Sequence, residues 1–380
     1  MLQNDKPMDV PPLRLMESHR AGDVVPFSSG LVSYLAPLPL PTVQPAQDYS
    51  HAVGEMNDTY LDFGTGLPNA FAWQVRLGGP FTLWIISVFL IPTLMMVGTP
   101  LLGGDISTAK QLAVGLFDIG ITYGSGCALF GFLILLSAWW SNHIKYKKII
   151  PTRFNRQRRE VCFVPESHSA PIFVPWESLS AWVIQAQGAT QYGIQRQYGM
   201  GVGFHHAASG EDFSLEFPCA GLPLAIANWE AVRAYMEHEV HSLKEIQDPL
   251  DLQGPDDPPH EGLHTFRNAR ARAHRRYREG EVGRWYMVGW YLYHAMDLWT
   301  LPFHLVEWEI RRVKRMQRQE LPEAMRAWSQ PLPSEQWVRP SEELQRQSQR
   351  VRALRQRDPQ RSIIEIFTEV RREASATGVR

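Results

Sequence analysis

The sequence predicts a membrane protein built from an α-helical hairpin in the bilayer, a cytoplasmic α+β domain and a helical C-terminal region. Two long segments without a charged residue predict the hairpin. A series of short alternating segments, followed by helical periodicity, predicts antiparallel strands closed by a C-terminal helix. The expected parts are a proline-rich arm over 1–80, the hairpin over 81–140, the strand-rich domain over 150–246, a linker over 247–262 and a basic helical region over 263–380.

Length and composition limit the function classes open to the chain. Its 380 residues have room for two or three compact units, and a net charge of −1 provides no overall field that selects nucleic acid. The three cysteines, Cys127, Cys162 and Cys219, are widely spaced and form no CxxC pair, so we expect no disulfide framework. Residues 1–23 contain no apolar run, so we expect no signal peptide.

The N-terminal arm is rich in proline, glycine and small polar residues. Residues 35–45, LAPLPLPTVQP, are typical of an extended or polyproline-like segment, which serves either as a spacer or as a ligand for a proline-binding groove. Residues 67–77 form a lead-in to the first apolar segment and place Trp73 and Arg76 at the expected level of the lipid headgroups.

Residues 81–102 and 119–140 are the two predicted membrane helices. Each is uncharged and reaches the roughly 20 residues that a helix needs to cross the hydrocarbon core. Two buried helices of a soluble protein are the alternative, but uncharged runs of this length are rare in soluble cores. The second segment offers small surfaces for close helix contact at Gly120, Gly124, Gly126 and Gly131.

The distribution of basic residues predicts the orientation of the hairpin. The connector between the apolar segments has one lysine, Lys110, whereas seven basic residues follow Trp140 before the first acid, Glu160. The positive-inside rule places this run, and hence both long arms, on the cytoplasmic side of the membrane. The same run is expected to contact anionic lipid headgroups. It comprises Lys145, Lys147, Lys148, Arg153, Arg156, Arg158 and Arg159.

The strand-rich domain alternates apolar and polar residues from Val161 to Phe217. Helical periodicity then takes over from about Pro223 to about Lys244. A run of antiparallel strands closed by one helix resembles the pleckstrin-homology-like architecture.

Two phrases in this region carry a family resemblance. They are PTRFNRQRREVCFV at residues 151–164 and VPWESLSAWV at residues 174–183. Over roughly residues 75–310 the chain resembles a family of uncharacterised bacterial membrane proteins associated with genomic neighbourhoods of type VI secretion effectors. The resemblance implies an immunity or accessory role beside toxin delivery, with a cognate effector as a partner, and it names no active site.

Residues 285–308 form a third apolar stretch that differs from the first two. It contains His294, Asp297, His304 and Glu307, and a central aspartate costs about 2.5–3.5 kcal/mol on insertion scales. Both flanks are basic, so we favour a membrane-surface or protein-packed helix, which Pro302 kinks or ends, over the alternative of a third crossing. The four polar residues form a candidate functional stripe, whose alternatives are a proton relay, a metal site, a partner surface or the wet face of an interfacial helix.

No other motif supports a catalytic, cofactor or metal site. His238 and His241 share a helical face, but two ligands are too few unless His205 and His206 complete the set. Neither a P-loop nor a GxSxG elbow occurs, and the arginine-rich run at 267–278 lacks the reading element that nucleic-acid binding needs.

These observations leave three function hypotheses. The first is a non-enzymatic, membrane-anchored interaction protein that serves as an immunity or accessory component of type VI secretion. The second is a membrane-surface scaffold or lipid-binding module that uses the strand-rich domain and the basic runs. The third is an enzyme or toxin whose site is assembled from dispersed histidines and acids. We expect the lipid bilayer as a partner, no cofactor and no nucleic acid, and the oligomeric state stays open.

Overall fold

The computed structural model describes residues 19–64, 68–146, 150–165, 170–190, 193–247, 252–254 and 256–377. The chain divides into two compact units. The strand unit contains Met1–Gly66, Ile150–Asp248 and Leu321–Arg380. The helical unit contains Leu67–Ile149 and Pro249–Glu320. Both units are therefore assembled from segments that are distant in the sequence.

The strand unit contains two antiparallel sheets of five strands each within the described residues. Sheet A has the order β1-β2-β8-β9-β10, and sheet B has the order β3-β4-β5-β6-β7. The strands are β1 (Val24–Phe27), β2 (Gly30–Ala36), β3 (Val53–Met56), β4 (Tyr60–Phe63), β5 (Thr152–Asn155), β6 (Glu160–Phe163), β7 (Ile172–Pro175), β8 (Ser180–Thr190), β9 (Gly193–His206) and β10 (Glu211–Cys219).

The first four strands lie in the segment that the sequence analysis assigned to a proline-rich arm. Three of them have four residues each, which is too few to show a clear alternation. β1 pairs with β2 and β3 pairs with β4, whereas β2 and β4 join the rest of their sheets through the distant strands β8 and β5. Leu40 and Thr42, within the expected polyproline-like segment, are also buried, so this segment belongs to the packed body of the unit.

One hydrophobic core joins the two sheets to three helices. These are α3 (Leu222–Met236), α9 (Glu342–Arg357) and α10 (Ile363–Thr377). The predicted closing helix is present but ends at Met236, because the chain turns there and His238 adopts a positive φ of 58°. The predicted antiparallel strands and helical C-terminal region are thus confirmed, although the strands form two sheets. The short helices α4 (Leu243–Ile246) and α8 (Glu323–Trp328) complete the unit.

The helical unit contains two helices long and apolar enough to cross a membrane, which confirms the predicted pair. They are α1 (Ala70–Leu101) and α2 (Ile106–Ser141), and α2 continues as helix to Tyr146. Both exceed the predicted segments. The expected connector is mostly the first part of α2, whose N-cap Asp105 accepts a hydrogen bond from the Thr108 amide at 3.0 Å.

The two long helices approach each other closely at glycines. A Cβ atom added at Gly120 would lie 2.4 Å from the Ser87 carbonyl oxygen, and one added at Gly124 would lie 2.8 Å from the Ser87 Cβ. No atom lies within 4 Å of such a Cβ at Gly126 or Gly131. The expected close contact therefore uses two of the four glycines. It falls where both helices widen into π-helical segments, Ile86–Leu90 and Gly120–Gly124.

Three further helices complete the helical unit. They are α5 (Leu263–Arg278), α6 (Arg284–Met296) and α7 (Leu301–Glu320). The apolar stretch at 285–308 is therefore two helices, which agrees with a helix that ends before Pro302. Leu298 and Trp299 make the break with positive φ angles of 60° and 61°. Part of the expected linker, residues 248–251 and 255, lies outside the described residues.

Candidate functional site

The helical unit places a buried carboxylate between its two long helices. Trp73 lies in the first turn of α1, and Trp139 lies near the end of the apolar part of α2. Oε2 of Glu309, on α7, accepts a hydrogen bond from Nε1 of Trp73 at 2.7 Å, and Oε1 accepts one from Nε1 of Trp139 at 2.8 Å. All three side chains are buried. We call these three residues the Trp–Glu–Trp clasp.

The two hydrogen bonds of the clasp offset the free energy that it costs to bury the Glu309 carboxylate. A carboxylate removed from water is strongly unfavourable unless it is hydrogen-bonded, and donors that meet a charged acceptor make stronger bonds than neutral pairs. The two indole rings also pack on each other, with centroids 5.4 Å apart. Phe303, Val306 and Ile310 of α7 belong to the same buried cluster. The clasp therefore fixes one end of each long helix against α7.

Replacing Glu309 by leucine is expected to destabilise the helical unit by about 2 kcal/mol, because two buried indole N–H groups lose their acceptor. Glu309→Gln keeps one acceptor oxygen and is expected to lose about half as much. The measurement is the thermal unfolding midpoint of the full chain in nanodiscs. Arg311→Gln, at an exposed position of the same helix, is the control and should leave the midpoint unchanged. A Glu309→Leu chain as stable as the wild type would contradict the role of the clasp.

A second buried polar group, His294, lies at the end of α6. Its ring centroid is 4.0 Å from that of Trp290 and 5.1 Å from that of Phe266. Burial lowers the pKa of His294, although the charge of Asp297 acts in the opposite direction. Within the described part of the chain, Nδ1 of His294 has no hydrogen-bond partner. This aromatic enclosure therefore favours the neutral imidazole.

Asp297 follows α6 and lies against α1. A Cβ atom added at Gly78 would be 2.7 Å from Oδ1 and 3.1 Å from Cα of Asp297, so the approach requires glycine. The pKa of Tyr293 is raised, first by burial and then by its hydrogen bond with Asp297. Oδ2 of Asp297 is buried and has no partner among the residues described. The structure thus brings His294 and Asp297 together, one helical turn apart.

The other two members of the predicted stripe have different surroundings. Oε1 of Glu307 accepts a hydrogen bond from the backbone amide of Leu263 at 2.8 Å, so Glu307 caps the N-terminus of α5. His304 is exposed at the start of α7. The four residues therefore do not form one continuous stripe, because the chain turns between Met296 and Leu301.

The stability of the helical unit is expected to fall as the pH drops below about 6.5, because the unfolded chain then binds a proton that the folded chain, with its lowered His294 pKa, does not. The loss stops once the pH is below the pKa of the folded state. His294→Phe should reduce this acid sensitivity. The measurement is the unfolding midpoint of both chains between about pH 7.5 and about pH 5.

Two other histidines, His238 and His260, also have a pKa lowered by burial. They remain in both chains, so the difference between the two pH profiles isolates His294. Identical profiles would show that His294 does not titrate differently in the folded chain.

The predicted headgroup-binding run mostly holds the strand unit together instead. Three of its arginines are buried and paired with acids, which removes them from contact with lipid. Arg158 donates to the Trp328 carbonyl oxygen at 2.9 Å. The side chain of Lys145 and the whole of Lys147 and Lys148 lie outside the described residues, and the topology expected from the run stays a prediction. These buried arginines pair as follows: Arg153 with the buried Asp62, Arg156 with the exposed Asp58, and Arg159 with Glu237 and Glu177.

The histidines considered for a metal site also have structural partners. The ring of His238 stacks on Trp337 with centroids 5.2 Å apart, and Nδ1 of His241 lies 3.3 Å from Nη1 of Arg156. Nδ1 of His205 lies 2.8 Å from Oδ1 of Asp212. Among the described residues there is no group of three or more histidines, cysteines or acids that could hold a metal ion.

The clasp was not predicted from the sequence. Glu309 follows the apolar stretch and is preceded by Trp308, so it looks like an ordinary acid at the edge of a basic segment. The available signal was a tryptophan at the outer end of each long helix, which needs an acceptor when it is buried. Comparisons of the chain with known protein families, with curated proteins and with solved structures find no match.

Proposed function

We propose that the chain is a non-enzymatic, membrane-anchored interaction protein that acts as an immunity or accessory protein of type VI secretion. The resemblance of residues 151–164 and 174–183 to bacterial membrane proteins of such neighbourhoods supports the biological setting. The structural feature that supports an interaction role is the β-hairpin of β8 and β9, which projects from sheet A.

The β8–β9 hairpin extends past the strands on both sides of it. β8 pairs with β2 as far as Ala186, and β9 pairs with β10 as far as Tyr198. A last backbone hydrogen bond joins the Gln187 amide to the Ser29 carbonyl oxygen at 2.7 Å. The two strands continue to pair with each other up to Thr190 and Gly193. Beyond Gln187 the pair has no neighbouring strand among the residues that the structure describes.

A projecting two-stranded ribbon suits recognition by strand addition. Its outer edges present backbone donors and acceptors, which a partner strand can extend. The described side chains near its tip, Gln195, Arg196 and Gln197, are exposed. Amide side chains both donate and accept hydrogen bonds, and Arg196 is the one charged residue between 188 and 197. A polar protein strand, such as one from a cognate effector, is the partner that this ribbon fits.

The sheet register supports an anchor that leaves and re-enters the strand unit on one side of the membrane. Phe63 of β4 pairs with Thr152 of β5, so the segment that carries α1 and α2 begins and ends at neighbouring strands. Two crossings return the chain to its starting side. With the basic run after Trp140, we place both arms in the cytoplasm of a bacterial inner membrane. We further propose a pleckstrin-homology-like plan for the strands that α3 closes.

A competition assay tests the function. A strain that lacks the protein is co-cultured with a sibling attacker that has an active or an inactivated type VI secretion system. We expect survival of the deletion strain to fall at least tenfold, only with the active attacker. The full chain should restore survival. A chain in which Asn-Gly replaces residues 188–195, joining the paired residues Gln187 and Arg196 by a two-residue turn, should not.

The control is Ser209→Ala in the turn at the opposite end of β9, which should restore survival as the wild type does. Membrane fractionation must show equal amounts of each chain. A deletion strain that survives the active attacker as well as the wild type does would overturn the immunity role. Full rescue by the shortened hairpin would overturn the assignment of the hairpin as the recognition surface.

A further inference from the structure

Helix α6 buries its polar group and exposes its apolar side chains, which is the reverse of a helix on a water-soluble surface. Its inner face carries His294 and Met287, both buried. Its outer face carries four large side chains at helical spacing. Their exposed fractions are 86% for Trp285, 54% for Val288, 57% for Leu292 and 56% for Tyr293. We call these four residues the outer face of α6.

The outer face of α6 is expected to be shielded from water by a membrane or by another protein. Contiguous exposed apolar side chains at this density mark a site of contact with a protein or a membrane. The opposite face cannot turn outwards to replace it, because Trp290 and His294 are packed against Phe266. The outer face is therefore a fixed feature of the helical unit and not a consequence of a loosely held helix.

The position of α6 beside α1 indicates what covers it. Oγ1 of Thr82 donates a hydrogen bond to the carbonyl oxygen of Met296 at 3.5 Å, and Gly78 lies against Asp297. Thr82 is the second residue of the uncharged segment that begins at Phe81. The C-terminal end of α6 is thus held at the level where α1 enters its apolar part, which is where the surface of a membrane would lie.

Length and charge select the bilayer surface over a third crossing. With 13 residues, α6 is about 20 Å long, which is shorter than the roughly 30 Å hydrocarbon core. Basic residues border its N-terminal end, since Arg284 begins the helix and Arg276, which also pairs with Glu281, lies 5.5 Å from the ring of Tyr286. Arg275 and Arg278 at the end of α5 are exposed. An apolar helix face with a basic border is typical of helices that lie in the headgroup region of anionic membranes.

We propose that α6 lies in the plane of the membrane, with Trp285, Val288, Leu292 and Tyr293 inserted at the headgroup–acyl boundary of the leaflet in which α1 begins. This inference rests on the anchoring part of the proposed function and is independent of the secretion role. It gives the protein a third contact with the bilayer, which involves one leaflet only. Tryptophan and tyrosine then lie at the depth of the membrane where amphipathic rings are favoured.

Hydroxyl-radical footprinting of the full wild-type chain tests the inference. The chain is reconstituted in phosphatidylcholine nanodiscs with and without phosphatidylglycerol, and oxidation is read by mass spectrometry. We expect the peptide with the outer face of α6 to be oxidised at least tenfold less than the exposed Trp337 and Val338 of the strand unit. Anionic lipid should increase this protection. Oxidation of the outer face at the level of Trp337 would overturn the inference.

Met95 and Met96 on the exposed side of α1 report anchoring in the same sample. If they are protected while the outer face of α6 is oxidised, α6 does not lie in the membrane although the protein is anchored. If all are oxidised, the anchoring itself fails. A Leu292→Glu chain gives a second measurement, because it should raise oxidation of Trp285 and Tyr293 and leave Met95 and Met96 protected.

Discussion

Replacing Arg153 by alanine is expected to destabilise the strand unit by about 3–5 kcal/mol, the range for breaking a buried ion pair. Nε and Nη2 of Arg153 donate to the two carboxylate oxygens of Asp62 at 2.6 and 2.8 Å, and Nη1 donates to Oγ of Ser329 at 2.9 Å. Its guanidinium also lies 3.7 Å from the ring centroid of Tyr60. Alanine would leave the Asp62 carboxylate buried without its counter-charge. The free energy of unfolding, measured by pulse proteolysis of the full chain, checks this.

The control is Arg352→Ala, which breaks an exposed ion pair with Glu239 and should cost no more than about 1 kcal/mol. A double variant, Arg153→Met with Asp62→Leu, removes both charges and should recover most of the lost stability, since apolar replacements of buried ion pairs are often neutral or better. A loss in Arg153→Ala no greater than that in Arg352→Ala would mean that Asp62 finds another partner or gains access to water.

Replacing Gly120 by leucine is expected to destabilise the helical unit by about 3 kcal/mol, at the upper end of the range for overfilled contacts. The new Cβ would lie 2.4 Å from the Ser87 carbonyl oxygen and 3.0 Å from the Val88 Cα, and these backbone atoms cannot move without separating α1 from α2. Helices in lipid gain little from burial of apolar surface, so their association depends on such close packing. Detergent-induced unfolding followed by circular dichroism measures the change.

Gly126→Leu is the matched control for this experiment. It lies on the same helix, makes the same chemical change and has no atom within 4 Å of the added Cβ. Leucine also favours a helix over glycine by up to about 1 kcal/mol, so Gly126→Leu should be as stable as the wild type or more so. Equal losses at the two positions would show that close approach at Gly120 is not what holds the helices together.

The two long apolar helices were predictable because their signal is local. An uncharged segment long enough to cross a bilayer can be recognised from about 20 consecutive residues, without knowledge of distant contacts. The glycines of the second segment likewise predicted a close contact between the helices. Which glycines form it depends on the rotation of α2 about its axis. Gly120 and Gly126 look equivalent in the sequence. They differ in the structure because Ser87 of the other helix lies against Gly120 and no atom lies within 4 Å of a Cβ added at Gly126.

The strand unit was predictable only where its strands follow one another. The segments from Val161 to Phe217 pair with neighbours in the sequence, so alternation identified them. The strands before α1 were missed because three of them have only four residues, and because β2 and β4 join the rest of their sheets through β8 and β5, which follow the two long helices. The basic run was misread for the same reason. Arg153 looks available to lipid until Asp62, which precedes the hairpin, is placed beside it.

Because β4 pairs with β5 across the two long helices, the order of synthesis limits when the sheets can form. Strands β1 to β4 leave the ribosome before α1, whereas β5 and β8, which pair with β4 and β2, leave it only after α2. Until then the early strands have open edges, which are sites of aggregation and proteolysis. Neither sheet can be completed before both long helices have been synthesised.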